Sequence, residues 1–250
     1  MSVGQPHPGW HAAEAALTKH PEWVLKLWLL QGRDDQRGTK LAELAKSLGI
    51  RIEYVSKSAL DKQDRHHQGV IAWMKEQTLP SDAELTDFLD ALTKPNPLLL
   101  VLDGVQDPHN LGACLRSADA AGVDAVIIPK HHAVGLTPTV SKVACGAAEA
   151  LPLFQVNNLA RTLDQLKARG IWLSGLALAD GAVSVFDADW SGAVAIIMGA
   201  EDTGIRALTQ KQCDRLVIIP MLGTVQSLNV SVATGVVLYT ALQQRLKGIL

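Results

Sequence analysis

LLLVLDGVQDPHNLGACLRSADA, residues Leu98–Ala120, opens with an unbroken apolar run, Leu98–Leu102, and passes through Asp103-Gly-Val into a helical pattern. The apolar positions of that pattern, Leu111, Cys114, Leu115 and Ala118, recur at the spacing of a single helix face. A strand that is apolar without alternation is buried on both sides, and a helix directly behind it is the start of a β-α-β unit. The same kind of run returns at Ala125–Ile128, Ile171–Leu176, Val194–Met198 and Leu216–Ile219, with helical stretches between. The spacing predicts an α/β domain with a parallel sheet covered on both faces. In such sheets ligands sit beyond the carboxyl ends of the strands. Residues 103–110, 129–135, 199–204 and 220–229 are therefore the places to look for chemistry. A last helix, from near Asn229, is apolar almost all round, through Val230, Val232, Ala233, Val236, Val237 and Leu238, and calls for cover from its own domain or from a second subunit.

Upstream of Leu98 the pattern is less regular. A helix around Ala12–Lys19, an apolar run Val24–Leu30, an amphipathic stretch Lys40–Leu48 and strands at Ile52–Val55 and Val70–Met74 describe a small α/β unit over residues 1–75. Residues 76–95 read as a linker, because five acids (Glu76, Asp82, Glu84, Asp87, Asp90) face one Lys94, although Leu85, Phe88, Leu89 and Leu92 carry a short helical pattern. Residues 96–250 form the second domain.

The chain's net charge of −2 does not resemble the basic surface usual in a nucleic-acid binder, but residues 1–75 hold eleven Lys and Arg against eight Asp and Glu. No apolar stretch approaches the roughly 18 residues of a membrane span, and no export signal opens the chain, so the expectation is a cytoplasmic protein without a membrane partner. Cys114, Cys145 and Cys213 are odd in number and lack C-x-x-C spacing, which argues against a disulfide framework or zinc knuckle. His66-His67 and His131-His132 sit in polar surroundings and read as solvated loop histidines, so no metal is assigned.

Three segments concentrate polar groups at strand ends. In Asp107-Pro-His-Asn110-Leu-Gly-Ala-Cys-Leu-Arg116, Asn110 stands where a helix cap is expected, Gly112 permits close packing and Arg116 has Asp119 within pairing distance along the helix. Met198-Gly199-Ala-Glu201-Asp-Thr-Gly204 places a carboxylate between glycines, to orient a ligand or to cap the next helix. Ile219-Pro220-Met221-Leu-Gly223-Thr-Val-Gln-Ser227-Leu228-Asn229 brings two small polar residues to a helix entrance, where a cap accounts for only one of them. No two glycines are spaced as G-x-G, and Gly204 is followed by Ile205, which excludes the dinucleotide fingerprint and the P-loop.

In this order and spacing, and with Thr137–Pro152 and Thr209–Ile219 between them, the three segments resemble the SpoU/TrmH family of RNA 2′-O-ribose methyltransferases. The match runs over Leu98–Arg245. Gly9-Trp-His11-Ala and His67-Gln-Gly69-Val-Ile-Ala resemble that family's substrate-binding domain. The resemblance implies a SPOUT-type sheet closed by a trefoil knot, a homodimer whose second subunit completes the site, and S-adenosylmethionine as cofactor. It further implies a guanosine ribose of 23S ribosomal RNA as the target.

Carried onto this chain, the resemblance makes Asn110, Arg116, Glu201, Ser227 and Asn229 the catalytic set. It makes Met198, Gly199, Gly204, Ile219, Pro220, Met221, Gly223, Ser227 and Leu228 the cofactor-binding set. Arg116 has a planar fork suited to phosphate but too high a pKa to be an ordinary base, so its implied role is to position and polarise the hydroxyl. The alternatives are a relative acting on transfer RNA or on a base nitrogen, and a non-catalytic RNA-binding assembly protein. Three departures from the family's pattern stand out: Asp202 where Gly is common, Trp10 in place of a smaller aliphatic residue, and Met1–Pro8 as an extension.

Overall fold

A computed structural model of the chain describes residues 4–19, 21–32, 35–65, 67–75, 79–201 and 203–247. His66, Asp202, the start of the Met1–Pro8 segment and residues 76–78 of the expected linker lie outside the described residues. The chain divides into two compact units, Met1–Thr78 and Leu79–Leu250.

The first unit runs β1 (Gln5–Pro8), α1 (Trp10–Lys19), β2 (Val24–Leu30), α2 (Gln36–Ser47), β3 (Arg51–Val55), α3 (Lys57–Asp61) and β4 (Val70–Met74). Its sheet has the order β1-β4-β2-β3, with β2 and β3 parallel and the other pairs antiparallel. β1 corrects the reading of Met1–Pro8 as an extension: Gln5–Pro8 pairs residue for residue with β4. Two prolines in four residues hide a strand from pattern reading, and an edge strand is where they are tolerated. Trp10, Ala13 and Leu17 of α1 and Leu41 and Ala45 of α2 close over Leu27, Leu29, Val70 and Ala72 of the sheet. The two motifs of this unit meet there, since Gly9 N donates to Val70 O at 3.0 Å and Trp10 Nε1 donates to Gln68 O at 3.0 Å. His67 is buried rather than solvated, with Nδ1 accepting from Gly69 N at 2.7 Å and Nε2 lying 3.1 Å from Asp61 Oδ1. His131 and His132 are exposed.

The second unit begins with α4 (Asp82–Ala91), inside the stretch read as a linker, and continues β5 (Leu98–Asp103), α5 (Pro108–Ala120), β6 (Ala125–Pro129), α6 (Pro138–Ala144), α7 (Ala147–Ala150) and β7 (Leu153–Val156). It ends α8 (Leu159–Ala168), β8 (Trp172–Leu176), β9 (Val183–Ser184), β10 (Val194–Gly199), α9 (Ala207–Gln212), β11 (Arg215–Ile218) and α10 (Val230–Lys247). The sheet is parallel throughout, in the order β7-β6-β5-β10-β8-β11-β9.

Alternate residues of the central strands point to opposite faces. Leu98, Leu100, Leu102, Ile196 and Met198 pack under α5 and α10, while Leu99, Val101, Ala195 and Ile197 pack under α4 and α8. Both faces are covered, which is why these strands read as unbroken apolar runs. β5, β6 and β7 step to one side of the sheet, and β10 enters between β5 and β8. The strand order therefore reverses at the β5–β10 pair, where Gly199 lies opposite Asp103 at the carboxyl ends. A crevice for a ligand opens at such a reversal.

Candidate active site

α5 starts one turn earlier than the sequence suggests. Asp107, not Asn110, is its N-cap, accepting from His109 N at 2.8 Å, and Pro108 supplies the first helical residue. The correction has a physical reason: Asp caps as well as Asn, and Pro is favoured directly after a cap. It frees the side chain of Asn110, which is largely buried and reaches across the crevice to donate from Nδ2 to Glu201 Oε2 at 3.1 Å.

Asn229 stands at the head of α10, where its Oδ1 accepts from Ser231 N at 2.9 Å and Ser231 Oγ at 2.6 Å. Its Nδ2 donates to Asn110 Oδ1 at 3.0 Å and to Glu201 Oε1 at 3.2 Å. Three distant segments thus meet in one closed network, with the carboxylate of Glu201 accepting one amide on each oxygen. The amino-terminal turn of α5 and the head of α10 both border it.

Glu201 sits on a tightly closed loop. Ala200 and Gly204 exchange both backbone hydrogen bonds, at 3.1 and 2.9 Å, and Gly204 is left-handed with φ of +64°. Gly199 has no room for a side chain, since a Cβ there would lie 2.0 Å from the carbonyl carbon of Gly204. Met198, just before it, is buried in the core.

The second loop, between β11 and α10, borders an open cleft of about 490 Å³ lined by Leu178, Ile218, Met221, Gly223, Thr224 and Val225. Of the cofactor set implied by resemblance, Met221 and Gly223 line this cleft. Ile219 and Leu228 pack against the core, and Pro220 and Ser227 are exposed. Leu178, Ile218, Thr224 and Val225 were not in that set. Leu178 lies just past the carboxyl end of β8, which is the signal that could have found it.

Arg116 is exposed and does not join the Asn110–Glu201–Asn229 network. Its Nη1 points to Cys145 Sγ at 3.5 Å rather than to Asp119, and Cys145 is itself left-handed with φ of 54°. Gly112 serves close packing: a Cβ there would meet Val143 Cβ at 2.7 Å and Val140 O at 2.8 Å on α6. Burial pushes the Cys114 and Cys213 thiols up to about 11, so both stay protonated near neutrality. Among the described residues no three His, Cys, Asp or Glu side chains gather as a metal site, and no helix is long and apolar enough to cross a membrane.

The SpoU rRNA Methylase family matches residues 97–239, and the family described as RNA 2′-O ribose methyltransferase substrate binding matches residues 8–80. The 23S rRNA (guanosine-2′-O-)-methyltransferase RlmB of Shewanella oneidensis is 51% identical over 239 residues, covering 95% of this chain and 96% of that protein. Its namesake from Pseudomonas syringae is also 51% identical, covering 95% and 94%. Among solved structures, the SpoU methyltransferase AviRb of Streptomyces viridochromogenes, in complex with AdoMet, aligns with a TM-score of 0.65 at 25% identity, over 97% of this chain and 91% of that one. A structure described as an RNA 2′-O ribose methyltransferase aligns with a TM-score of 0.61 at 30% identity, over 96% and 88%.

Proposed function

The chain belongs to the SpoU rRNA methylase family, and on that premise we propose that it methylates the 2′-hydroxyl of a guanosine in 23S ribosomal RNA, using S-adenosylmethionine. The observation that carries this reading is the Asn110–Glu201–Asn229 network, built from three segments at the strand-order reversal of a parallel sheet.

S-adenosylmethionine, when bound, supplies an electrophilic methyl group on a sulfonium. The cleft beside β11 suits it, because Leu178, Ile218 and Met221 offer apolar surface for a purine while Gly223 leaves backbone groups accessible. Gly199 and Gly204 let the backbone close tightly at the base of the loop that carries Glu201. Asn110 and Asn229 hold that carboxylate by both oxygens, an arrangement that orients reactants rather than transferring protons itself. Arg116 is exposed, and among the described residues its hydrogen-bond partner is the Cys145 thiol, which leaves its fork available to an RNA phosphate beside the target ribose.

The domain division follows the same reading: the first unit holds RNA and the second performs the chemistry. The excess of Lys and Arg over residues 1–75 supports an RNA role for the first. A homodimer is part of the proposal. Arg116 lies apart from the Glu201 network within one chain, and α10 leaves Val232, Tyr239 and Leu246 about half exposed at a seven-residue spacing, a stripe suited to a second helix. The trefoil knot belongs to the reading too, supported by the entry of the late strand β10 between β5 and β8. A cytoplasmic location belongs to the same reading, supported by the free thiols and the ribosomal target.

The test is to incubate purified protein and labelled S-adenosylmethionine with ribosomal RNA from a strain lacking the gene, and to digest the product. Label in 2′-O-methylguanosine from 23S RNA is expected. Label in transfer RNA or on a base nitrogen would favour the relatives with other targets. Cofactor binding without transfer would favour an assembly protein.

A further inference from the structure

We propose that Asp103 and Arg206 are positioning residues for the reaction, forming a brace that fixes the loop carrying Glu201 without touching substrate. The proposal rests on the reading of Glu201 as part of the reacting site. Asp103 ends β5, and its side chain is fully buried at the strand-order reversal. Burying a carboxylate there is unfavourable unless it is paired and hydrogen-bonded. Among the described residues Arg206 meets that need: Nε donates to Asp103 Oδ1 at 2.6 Å, Nη2 forms an ion pair with the same oxygen at 2.5 Å, and the Arg206 backbone N donates to Oδ2 at 3.2 Å.

The placement matters because the Glu201 loop has two feet, and both stand on Asp103. The first is Gly199, which pairs with Asp103 in the β5–β10 ladder. The second is Arg206, two residues past Gly204, where the loop closes on Ala200. The base of the loop is closed as well, since Gly199 has no room for a side chain and Ala200 and Gly204 exchange paired backbone bonds. Asp103 is buried while Arg206 keeps 46% of its side chain exposed, and a pair with one buried charge adds little stability over apolar residues of equal size. What an apolar pair lacks is direction, since a guanidinium and a carboxylate accept few mutual geometries. The brace accordingly sets where Glu201 stands relative to Asn110 and Asn229. The competing role is local: Arg206 precedes α9, and the pair could do no more than secure that helix's first turn.

The two roles separate in a full-length experiment with two readouts. Arg206→Ala removes the brace but leaves Asp103 buried and unpaired, so the paired variant Asp103→Leu with Arg206→Met, which leaves no buried charge, is made beside it. The first readout is the side-chain amide NMR resonances of Asn110 and Asn229, which should move toward those of exposed asparagine in both variants. The second is single-turnover methylation combined with Glu201→Gln. Turnover should fall about tenfold or more in the paired variant, and adding Glu201→Gln should lower it no further, because coupled residues are not additive. A role confined to α9 predicts unmoved amides and effects that multiply, and either result overturns the brace. A wild-type rate in Glu201→Gln alone would overturn the reading of Glu201 itself, and the positioning role with it, even where the amides move.

Discussion

Arg116 and Asn110 lie on one helix, six positions apart, yet they end in different surroundings. Asn110 is drawn into the crevice because Asp107 has taken the cap, whereas Arg116 is left at the surface beside Cys145. The sequence named both residues, but it did not distinguish capping Asp from capping Asn, and it offered Asp119 as the partner of Arg116. A partner 29 residues away on another helix end has no local signature.

The functional reading predicts that Arg116→Ala stays folded and binds S-adenosylmethionine, but loses methyl transfer by a factor on the order of a hundred or more. Arg116→Lys should fail as well, since an ammonium cannot reproduce a two-pronged contact. Single-turnover assays beside thermal melts check both, and near-normal turnover in a folded Arg116→Ala protein would remove Arg116 from the catalytic set. Gly199→Ala makes a different prediction, because its Cβ would lie 2.0 Å from the backbone of Gly204. Displacing that backbone should cost about 1–3 kcal/mol or more in urea unfolding and should weaken cofactor binding.

At the scale of elements, the strands that make the centre of the sheet were legible because burial on both faces leaves a continuous apolar run. β7 and β9 were not, being short and lying toward the rims, where neighbours on one side are missing. α4 shows how composition can mislead. Its acids Glu84, Asp87 and Asp90 are exposed, and charge and flanking prolines together suggested a linker, while Leu85 and Leu89 are buried beneath the sheet against β7 and α8. The capping box of Ser81 and Glu84 starts this helix and was readable in principle. Leu85→Ala should therefore destabilise the second unit by about 2–5 kcal/mol, the cost of a cavity in a packed core. Denaturant unfolding checks it, and a loss under about 1 kcal/mol would return residues 82–91 to the status of a linker.

For the molecule as a whole, a sequence holds no direct sign of a second copy of itself. Beyond the family resemblance, α10, apolar on too many sides for one chain, hinted at one. Val232→Glu with Tyr239→Asp should yield a monomer by sedimentation that binds S-adenosylmethionine weakly and transfers no methyl group. A fully active monomer would rule out a shared site.

The two units should also divide the labour. A fragment of residues 79–250, which contains the whole parallel sheet and both of its cores, is expected to bind S-adenosylmethionine by calorimetry while losing most of its affinity for ribosomal RNA at matched salt. Unchanged RNA affinity in that fragment would move the RNA site out of the first unit.

If the acceptor is a ribose hydroxyl, one substitution in the RNA isolates it. Once the modified guanosine has been mapped, a 23S RNA fragment carrying 2′-deoxyguanosine at that position alone is offered to the enzyme with labelled S-adenosylmethionine. The fragment is expected to bind with no methyl incorporation, against full incorporation into the ribose-containing control. Incorporation into the deoxy fragment would place the methyl group on the base and contradict the assignment.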